Sequence, residues 1–432
     1  MIRIRELGPL PHARLLGAAA AADRDGRSVA FLTGEGWGGT FLAIDPVAEV
    51  RVALGPDALA EVARALDSIA VEDVRGWNGA GAAPNTLGYV AYEAARSIER
   101  PAWRPRETRA APPGAAMVLR RYAAVARRDA RGIVAIEGES ETAIDGLAQL
   151  IAREHVVQPA TVDLTPGDDD DAHRARVERA IELIARGDLY VVNLARTFVG
   201  HTDATATAIL ATLLARASAP FAAALDLGDH AIACSSPELF LDVHRGRVLT
   251  TPIKGTRPRG VDAASDAAQV CELDRDPKER AELTMIIDLE RNDLGRIAEI
   301  GSVRVVHQPR IETTRTVHHR VCDVVARSSR PLGEIFTAMF PSGSVTGAPK
   351  VRAMEVIADL EADRRGIYCG AVVAIAPDGH ARAAMAIRTV VVERGRATYH
   401  AGGGIVAGSD PSREVAETLW KARQVVVPPR RI

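Results

Sequence analysis

The stretch Ala172-His-Arg-Ala-Arg-Val-Glu-Arg-Ala-Ile-Glu-Leu-Ile-Ala-Arg186, followed by Gly187-Asp188 and Leu189-Tyr-Val-Val-Asn-Leu-Ala-Arg-Thr197, indicates the fold class. Its apolar residues from Val177 to Ile184 recur at helical spacing, which predicts a helix that ends at the glycine. The run after the glycine is apolar and partly β-branched, which predicts a strand. Helices and strands alternate irregularly beyond this stretch, without the β-α-β pattern of a parallel sheet. The sequence therefore predicts an α+β fold.

The same patterns predict further elements on both sides of this stretch. Helices are expected at Asp57–Ile69, after Glu93, at Thr205–Ala217, at Lys278–Leu289, and from Pro349 toward Gly366. Strands are expected at Ser28–Phe31, Thr40–Ala43, Val118–Ala126, Arg131–Glu137, Ala231–Ala233, Arg247–Thr251, Gly370–Ala376, Ala384–Glu393 and Ala397–Ala401. The proline-rich segment Pro101–Pro113 is expected to be a surface loop.

A change of composition divides the chain into two regions. Residues 158–171 contain two prolines, a glycine and a run of four aspartates, Asp168–Asp171. Such a segment is typical of a solvated linker or of a helix start. We therefore predict an amino-terminal region at 1–157, a linker at 158–171 and a larger carboxy-terminal region at 172–427.

Composition narrows the class of protein. The 432 residues carry 54 Lys and Arg against 56 Asp and Glu, and this balance gives no basic surface for nucleic acid or for an anionic membrane. No apolar run reaches the ~20 residues that a membrane span needs. The four cysteines lie far apart, as expected of reduced thiols. These features predict a cytoplasmic globular protein.

Lysine is rare in this chain. Only four of the 54 basic residues are lysines, at Lys254, Lys278, Lys350 and Lys421, and the rest are arginines. Chance placement explains any one of them as well as a function does. However, only an amine can lose its proton and attack carbon, so each lysine is a candidate for chemistry that arginine cannot perform.

Two pairs of glutamates share one spacing. Glu279 and Glu282 lie three residues apart in a predicted helix, as do Glu414 and Glu417. Residues at this spacing share one helix face, so each pair can direct two carboxylates to one point. Two such helices facing each other would form an all-oxygen site suited to Mg²⁺. Taken alone, the spacing is more often that of a solvated helix surface.

Three glycine-containing segments have the character of anion-binding turns. Ser342–Lys350 leads into a predicted helix start, where free N–H groups favour a carboxylate or phosphate. Ala401–Ile405 could expose backbone N–H groups after a strand. Pro252-Ile-Lys-Gly-Thr256 places Lys254 at the end of an apolar strand, where burial favours the neutral, nucleophilic amine. Each is more often an ordinary turn.

Seven motifs occur in a fixed order along the chain: Ser236-Pro-Glu238, Pro252–Thr256, Ile287-Asp-Leu-Glu-Arg-Asn-Asp-Leu-Gly295, Gly347-Ala-Pro-Lys350, Ala386-Ile-Arg-Thr389, Ala401-Gly-Gly-Gly-Ile405 and Glu417-Thr-Leu-Trp-Lys-Ala422. In this order they resemble the chorismate-utilising enzymes, a family that includes anthranilate synthase component I, aminodeoxychorismate synthase component I and the isochorismate and salicylate synthases. The resemblance covers about Ala172 to Val427, and more weakly the region around Gly88–Glu99. It implies the anthranilate synthase component I-like fold, a large mixed β-sheet sandwich with helices on the outside.

The resemblance implies three catalytic residues. Lys254 is expected to act as the nucleophile, and Glu238 as the general acid that protonates the departing hydroxyl of chorismate. His319 matches the family's histidine in a segment that here reads His319-Arg-Val-Cys322, where Ser is common in place of Cys322.

The resemblance also implies a cofactor and a binding pocket. Mg²⁺ is expected to be held by Glu282 and Glu417, with Glu279 and Glu414 acting partly through water. The residues expected to bind the substrate are Gly255, Thr256, Thr346, Gly347, Ala348, Tyr368, Arg388, Gly402, Gly404 and Lys421. Among these, Arg388 suits a bidentate carboxylate because its guanidinium is planar.

One residue points to a subgroup. Aminodeoxychorismate synthases resemble this chain in having Lys at position 254, where anthranilate synthases usually have Ala. In that subgroup the amine adds to C2 of chorismate as the 4-hydroxyl leaves, and ammonia then enters at C4. The expected product is 4-amino-4-deoxychorismate, for para-aminobenzoate and folate synthesis, with ammonia from a separate glutamine amidotransferase subunit in a heterodimer. The alternatives are an anthranilate synthase component I, a 2-amino-2-deoxyisochorismate synthase, or a silent subunit that only binds a partner.

Val191 departs from the family pattern. Relatives usually carry a Gln or a Lys at this place in the Tyr190–Ala195 segment, and the isochorismate and salicylate enzymes use that Lys to activate water. An apolar side chain here argues against hydroxylating chemistry.

Overall fold

The computed structural model describes residues 2–97, 115–217 and 219–426 and confirms the α+β class. Its strands are β1 Arg3–Pro9, β2 Val29–Gly34, β3 Gly39–Ile44, β4 Ala48–Val52, β5 Thr86–Val90, β6 Met117–Arg121, β7 Ala124–Arg128, β8 Ile133–Gly138, β9 Thr165–Pro166, β10 Val191–His201, β11 Phe221–Asp226, β12 Ala231–Ser236, β13 Leu239–His244, β14 Arg247–Thr251, β15 Ile253–Pro258, β16 Arg304–Thr313, β17 Val317–Arg327, β18 Gly347–Ala348, β19 Ala371–Ile375, β20 Ala381–Met385, β21 Thr389–Glu393 and β22 Arg396–Ile405.

The helices of the described residues are α1 His12–Arg24, α2 Ala58–Asp67, α3 Glu141–Ala152, α4 Asp170–Ala185, α5 Ala206–Arg216, α6 Ala263–Arg275, α7 Pro277–Gly295, α8 Leu332–Met339, α9 Lys350–Leu360 and α10 Pro411–Val426. Short 3₁₀ turns occur at Glu35–Trp37, Trp77–Gly79, Tyr92–Ser97 and Gly343–Val345. The helix predicted after Glu93 is therefore a 3₁₀ turn in its described part. The predicted loop Pro101–Pro113 and the last residue of the predicted region 172–427 lie outside the described residues.

The strands form two large sheets. Sheet 1 has twelve strands in the order β1-β8-β7-β3-β2-β11-β12-β21-β22-β10-β18, with β9 also paired to β10. Sheet 2 has ten strands in the order β15-β17-β14-β13-β20-β19-β5-β6-β4, with β16 also paired to β17. All of these described pairings are antiparallel, whereas the sequence analysis expects a mixed sheet. Many neighbouring strands are joined by tight turns, such as Arg245-Gly246 between β13 and β14, and such turns permit only antiparallel pairing.

The two sheets pack face to face with helices outside, as expected of a sandwich. One buried cluster joins Phe41 and Leu32 of sheet 1 to Tyr89 and Val372 of sheet 2, so it lies between the sheets. A second packs α1, α3 and α5 on the outer face of sheet 1, and a third packs α2, α7 and α8 on sheet 2. These apolar layers fix the sheets relative to each other.

Strands from both sides of the predicted linker share the sheets. In sheet 1, β2 pairs with β11, and in sheet 2, β5 pairs with β19. The linker itself contributes β9, and Asp169 caps α4 by accepting a hydrogen bond from the N–H of Ala172. The division at 158–171 stays a prediction about regions of sequence, because both regions build both sheets.

Among the described residues, the chain passes between the sheets at four short segments. Residues 45–47 join β3 in sheet 1 to β4 in sheet 2, and two residues join β6 in sheet 2 to β7 in sheet 1. Pro237-Glu238 joins β12 in sheet 1 to β13 in sheet 2, and Ala386-Ile-Arg388 joins β20 in sheet 2 to β21 in sheet 1. The predicted strands Val118–Ala126 and Ala384–Glu393 are therefore each two strands. The apolar pattern of the sequence does not show where the chain passes from one sheet to the other, because the residues stay apolar through the crossing.

Candidate active site

Two expected site residues lie at the sheet crossings. Glu238 is 5 % exposed in the segment between β12 and β13. Arg388, with a φ of 51°, ends the segment between β20 and β21. A positive φ is unusual for a residue with a side chain, and it marks a backbone that the surrounding structure holds in place. Glu238, an acid, and Arg388, a cation, are thus both placed where the chain passes from one sheet to the other.

Lys254 extends from β15 toward the glycines of β22. Its Nζ donates a hydrogen bond to the carbonyl oxygen of Ser344 at 3.0 Å. A Cβ on Gly404 would lie 3.8 Å from this Nζ and 3.7 Å from Cγ2 of Val191. The amine, the glycine and Val191 therefore line one space, and the apolar side chain of Val191 is part of it.

Glu238 lies beside this amine. Burial raises the pKa of Glu238 to about 7, although the Ser344 hydroxyl and the charge of Lys254 both lower it. A carboxyl with such a pKa is about half protonated at neutral pH, far more than an ordinary glutamate, and can give up a proton there. The environment of Glu238 is therefore that of a general acid.

His319 lies on β17 next to the Lys254 strand. Its Nδ1 is 2.9 Å from the hydroxyl of Thr256, and the imidazole also hydrogen-bonds the backbone of Gly255. Burial, followed by the charge of Arg388, lowers the pKa of His319 to about 4. The imidazole is therefore neutral at physiological pH and can act as a hydrogen-bonding group, but it supplies no positive charge.

Arg388 is a partly buried cation whose guanidinium has no partner among the described residues. Desolvation lowers the pKa of Arg388. Tyr368 is stacked on His400 at 5.2 Å between ring centroids and lies under the guanidinium of Arg365. A partly desolvated cation without a counter-ion is costly, and an anionic ligand would relieve that cost.

The loop before α9 closes the pocket. The Thr346 hydroxyl donates to the carbonyl oxygen of Ser342 at 2.8 Å, so this group holds the loop together. Gly347 and Ala348 form β18, which pairs with Val192 and Val191. A Cβ on Gly347 would lie 2.1 Å from the Val191 carbonyl oxygen, so only glycine fits there. The loop offers backbone groups next to Lys254.

The four expected metal ligands lie on α7 and α10. Asp276 caps α7 by accepting hydrogen bonds from the N–H groups of Lys278 and Glu279, which fixes the first turn of that helix. Burial raises the pKa of Glu282 and of Glu414. The charges of Glu279 and Glu417 both act on Glu282, so the two helices bring like charges together.

Cations of the chain itself pair with these carboxylates. Lys421 Nζ is 2.6 Å from Glu417 Oε1 and also donates to the carbonyl oxygen of Gly402 at 2.6 Å. Lys278 Nζ is 3.8 Å from Glu282 Oε1, and Arg257 Nη1 is 3.5 Å from Glu279 Oε1. Within residues 2–97, 115–217 and 219–426, no three His, Cys, Asp or Glu side chains are gathered closely enough to hold a metal ion.

The donor set nevertheless suits Mg²⁺. All four groups are carboxylates, their mutual repulsion is relieved by a divalent cation, and a hard cation prefers oxygen. Gly403 leaves room beside two of them, because a Cβ there would lie 3.0 Å from Glu414 Oε2 and 3.5 Å from Glu417 Oε1. The four carboxylates therefore fit such an ion. Two of them also pair with lysines, Glu282 with Lys278 and Glu417 with Lys421.

The chorismate binding enzyme family model matches residues 27–427, which is most of the chain. The chain belongs to the chorismate binding enzyme family. An aminodeoxychorismate synthase of Streptomyces griseus is 44 % identical over 59 % of this chain and 36 % of its own length. An aminodeoxychorismate synthase component 1 of Klebsiella aerogenes is 42 % identical over 56 % of the chain and 54 % of its own length.

Anthranilate synthases match this chain at nearly the same sequence identity as the aminodeoxychorismate synthases. Component 1 of Streptomyces coelicolor is 41 % identical over 66 % of the chain and 56 % of its own length. The matches thus span about half, or less, of these curated relatives. The crystal structure of anthranilate synthase component I from Streptococcus pneumoniae superposes with a TM-score of 0.74 at 28 % identity, covering 89 % of this chain and 91 % of that one.

A more distant structure shows the same fold. The menaquinone-specific isochorismate synthase MenF of Escherichia coli has a TM-score of 0.72 at 18 % identity, covering 99 % of this chain and 95 % of that one. The expected anthranilate synthase component I-like fold is thereby confirmed. None of the helices described for this family member is long and apolar enough to cross a membrane.

One buried acid near the pocket, Glu290, is not among the residues expected from the sequence. Glu290 of α7 is 0 % exposed and accepts hydrogen bonds from the Ser342 hydroxyl at 2.9 Å and from the Gly343 N–H at 3.2 Å. It lies on the same helix face as Leu283 and Ile287, both buried. The sequence does contain a signal for this residue, because Glu290 is an acid placed among apolar residues at helical spacing.

Proposed function

We propose that this protein is an aminodeoxychorismate synthase component I, which converts chorismate and ammonia to 4-amino-4-deoxychorismate. The observation that carries the proposal is the pairing of Lys254 with Glu238, since an amine and a protonated carboxyl share one pocket. Anthranilate synthases, which usually carry Ala at the position of Lys254, have no such amine.

The proposed chemistry uses both groups in one step. The Lys254 amine forms a bond to C2 of chorismate as the C4–O bond breaks, and Glu238 gives its proton to the departing oxygen, which leaves as water. Ammonia then bonds to C4 and the C2–N bond to Lys254 breaks. The proton that the new ammonium releases restores Glu238, so the cycle is balanced.

The remaining residues would bind the substrate. The unpaired Arg388 suits the enolpyruvyl carboxylate, and the neutral His319 can hydrogen-bond the ring substituents. Glu282 and Glu417, backed by Glu279 and Glu414, would hold Mg²⁺. When bound, that ion would neutralise the ring carboxylate.

Ammonia would come from a separate glutamine amidotransferase subunit. Support comes from the names of relatives, which are called component 1 in Klebsiella aerogenes and in Escherichia coli. The alternative activity is that of an anthranilate synthase component I, which the relatives from Streptomyces coelicolor and Thermus thermophilus favour at 41 % and 40 % identity. Val191 beside Lys254 disfavours an isochorismate synthase, since it cannot activate water.

Product analysis tests the proposal. The protein is incubated with chorismate, Mg²⁺ and ammonium, and an added aminodeoxychorismate lyase then converts the expected product to para-aminobenzoate. Formation of fluorescent anthranilate without the lyase would instead establish the alternative. Lys254→Met, which keeps the chain length but not the amine, serves as the control for background turnover.

A further inference from the structure

A row of buried polar side chains connects the general acid Glu238 to the second buried acid, Glu290. The Ser344 hydroxyl lies close enough to the Glu238 carboxyl to lower its pKa, and Ser344 Oγ is 3.0 Å from Oγ of Ser342. Ser342 in turn donates to Glu290 Oε1 at 2.9 Å. All four side chains are buried, with exposures between 0 and 6 %. Two carboxyls of the site region are thus joined by two hydroxyls that can each donate and accept.

Glu290 forms no ion pair with any described residue. Its Oε2 is buried and makes no hydrogen bond within the described part of the chain. The described donors to Glu290 are the Ser342 hydroxyl and the Gly343 N–H, both on Oε1. A buried carboxylate that is satisfied on one side only is costly, and a bound proton relieves that cost.

We infer that Glu290 and Glu238 share one proton through Ser342 and Ser344, so that Glu290 is a positioning residue that keeps Glu238 protonated for catalysis. The inference rests on the proposed function of Glu238. In one orientation, Glu238 donates to Ser344, Ser344 to Ser342 and Ser342 to ionised Glu290. In the other, every bond is reversed and Glu290 carries the proton. Both orientations hold three protons, so charge moves between the acids without net gain or loss.

The charges around the pair agree with a shared proton. Burial raises the pKa of Glu290 to about 7, which is close to the value for Glu238, and Lys350 of α9 lowers it while Asp293 raises it. Glu238 faces Lys254 of β15 and the thiol of Cys369. Two acids with matched proton affinities, connected by hydroxyls, titrate as a pair with two apparent pKa values.

A cavity lies near Glu290. Asp293 lies one helical turn after Glu290 and forms an ion pair with Lys350. Asp293 and Lys350 both line a cavity of about 920 Å³ between α2, α7, α8 and α9. The charges nearest to Glu290 on this side are therefore those of an ion pair at the cavity wall.

Infrared titration of the protein without substrate tests the inference. The C=O band of the protonated carboxyls is followed against pH in the wild type, in Glu290→Gln and in Glu238→Gln. Each variant keeps one acid of the Glu238–Glu290 pair. Removing the negative charge of Glu290 should lower the pKa of Glu238 by at least about one unit, the size of shift that defines a coupled pair. Glu137→Gln is the matched control, because Glu137 is buried, accepts two backbone N–H bonds and lies elsewhere. An unchanged pKa of Glu238 in Glu290→Gln overturns the inference.

Variants of Ser342 provide an independent test if Glu290→Gln does not fold. Ser342→Ala removes the donor that stabilises ionised Glu290, so the proton should move to Glu290 and Glu238 should ionise at lower pH. Ser342→Thr keeps the hydroxyl and should titrate like the wild type. Identical titrations for Ala and Thr at this position refute the relay. The titration needs no chorismate, so a protein that shows coupling without amination refutes only the proposed function, and the reverse refutes only the relay.

Discussion

At the scale of single residues, the proposed mechanism depends on which proton each group holds. It requires a free amine at Lys254 and a proton on Glu238, and His319 is neutral because burial lowers its pKa to about 4. The guanidinium of Arg388 keeps its charge and stays available to a carboxylate. In the proposed mechanism the pocket therefore combines one nucleophile, one acid and one fixed cation.

Lys254 provides the most direct residue test. Lys254→Ala should lose at least about 99 % of the para-directed product, because the loss of a covalent nucleophile typically costs several powers of ten. Lys254→Arg should fail equally, since a guanidinium keeps its charge but does not attack carbon at neutral pH. Intact-protein mass spectrometry of the wild type, quenched with chorismate and no ammonia, should show an adduct on the Lys254 peptide. Near wild-type turnover by Lys254→Arg would reduce Lys254 to an electrostatic role.

The pKa of Glu238 predicts the pH profile. Its acid form dominates below the pKa of about 7 and is lost above it, so the rate constant, corrected for the fractions of free ammonia and of neutral Lys254 amine, should fall about tenfold per pH unit on the alkaline side. Glu238→Gln should remove both the activity and this limb. Rates are measured from pH 6 to 9 by chorismate consumption. A corrected rate that is flat across this range would exclude Glu238 as the acid.

At the scale of elements, the site lies where the chain leaves one sheet for the other and where strands approach closely. The crossing segments place Glu238 and Arg388, and the glycines of β22 allow β10 and the helices to come near. Gly402 illustrates the second point, because a Cβ there would lie 2.2 Å from the Leu194 carbonyl oxygen. Gly404 differs, since its nearest side chains are ordinary contacts with Val191 and Lys254.

This difference predicts different outcomes for substitutions at these two positions, which lie two residues apart in β22. Gly402→Ala should destabilise the fold by about 1–3 kcal/mol, because backbone atoms must shift to admit the methyl group. Gly404→Ala should leave stability within about 0.5 kcal/mol but weaken chorismate turnover, since the methyl group enters the space beside Lys254. Urea denaturation and steady-state kinetics distinguish the two effects. Equal stabilities for both variants would contradict the close approach at Gly402.

The facing helices α7 and α10 predict the metal dependence. Glu282→Gln should abolish turnover at limiting Mg²⁺ and weaken Mg²⁺ binding at least tenfold, because one carboxylate of the set is lost. Glu279→Gln should do less, as Glu279 is paired with Arg257. Isothermal titration of the protein with Mg²⁺ measures the affinity without substrate. An unchanged affinity in Glu282→Gln would remove Glu282 from the metal site.

The sequence was sufficient for most elements, and it failed where long-range geometry decides. The helix predicted at Lys278–Leu289 is part of α7, and Arg247–Thr251 is β14 with the same bounds. The continuous run Ala384–Glu393 instead crosses between sheets at Arg388, and a side-chain pattern carries no information on which sheet a strand joins. The roles of the motif residues followed from resemblance, whereas the connection from Glu238 to Glu290 depends on a loop and a helix 50 residues apart in sequence and was visible only in three dimensions.

At the scale of the whole molecule, both regions of sequence build one structure. The pairs β2–β11 and β5–β19 join strands from either side of the predicted linker, and the apolar cluster between the sheets includes residues from both regions. The proposed catalytic residues Glu238, Lys254 and His319 all belong to the carboxy-terminal region. That region nevertheless depends on the other for the partners of β11 and β19.

Truncation tests this dependence. A fragment of residues 158–432 should be insoluble when expressed alone, because β11 and β19 would each lose a neighbour and expose apolar surface. Co-expression with residues 1–157 should restore a soluble complex with the circular dichroism spectrum of the intact chain. A soluble, cooperatively unfolding 158–432 fragment would establish the carboxy-terminal region as an independent folding unit.

The burial of the lysines has a practical consequence for immobilisation and labelling. Lys254, Lys350 and Lys421 are partly buried and bonded, whereas the Lys278 side chain is 54 % exposed. Among the lysines, amine-reactive dyes and sensor-chip chemistries should therefore couple mainly to Lys278, beside the carboxylates of α7. A tether at Lys278 would lie next to Glu282, one of the expected metal ligands, so arginine- or thiol-directed attachment is the better choice for binding assays.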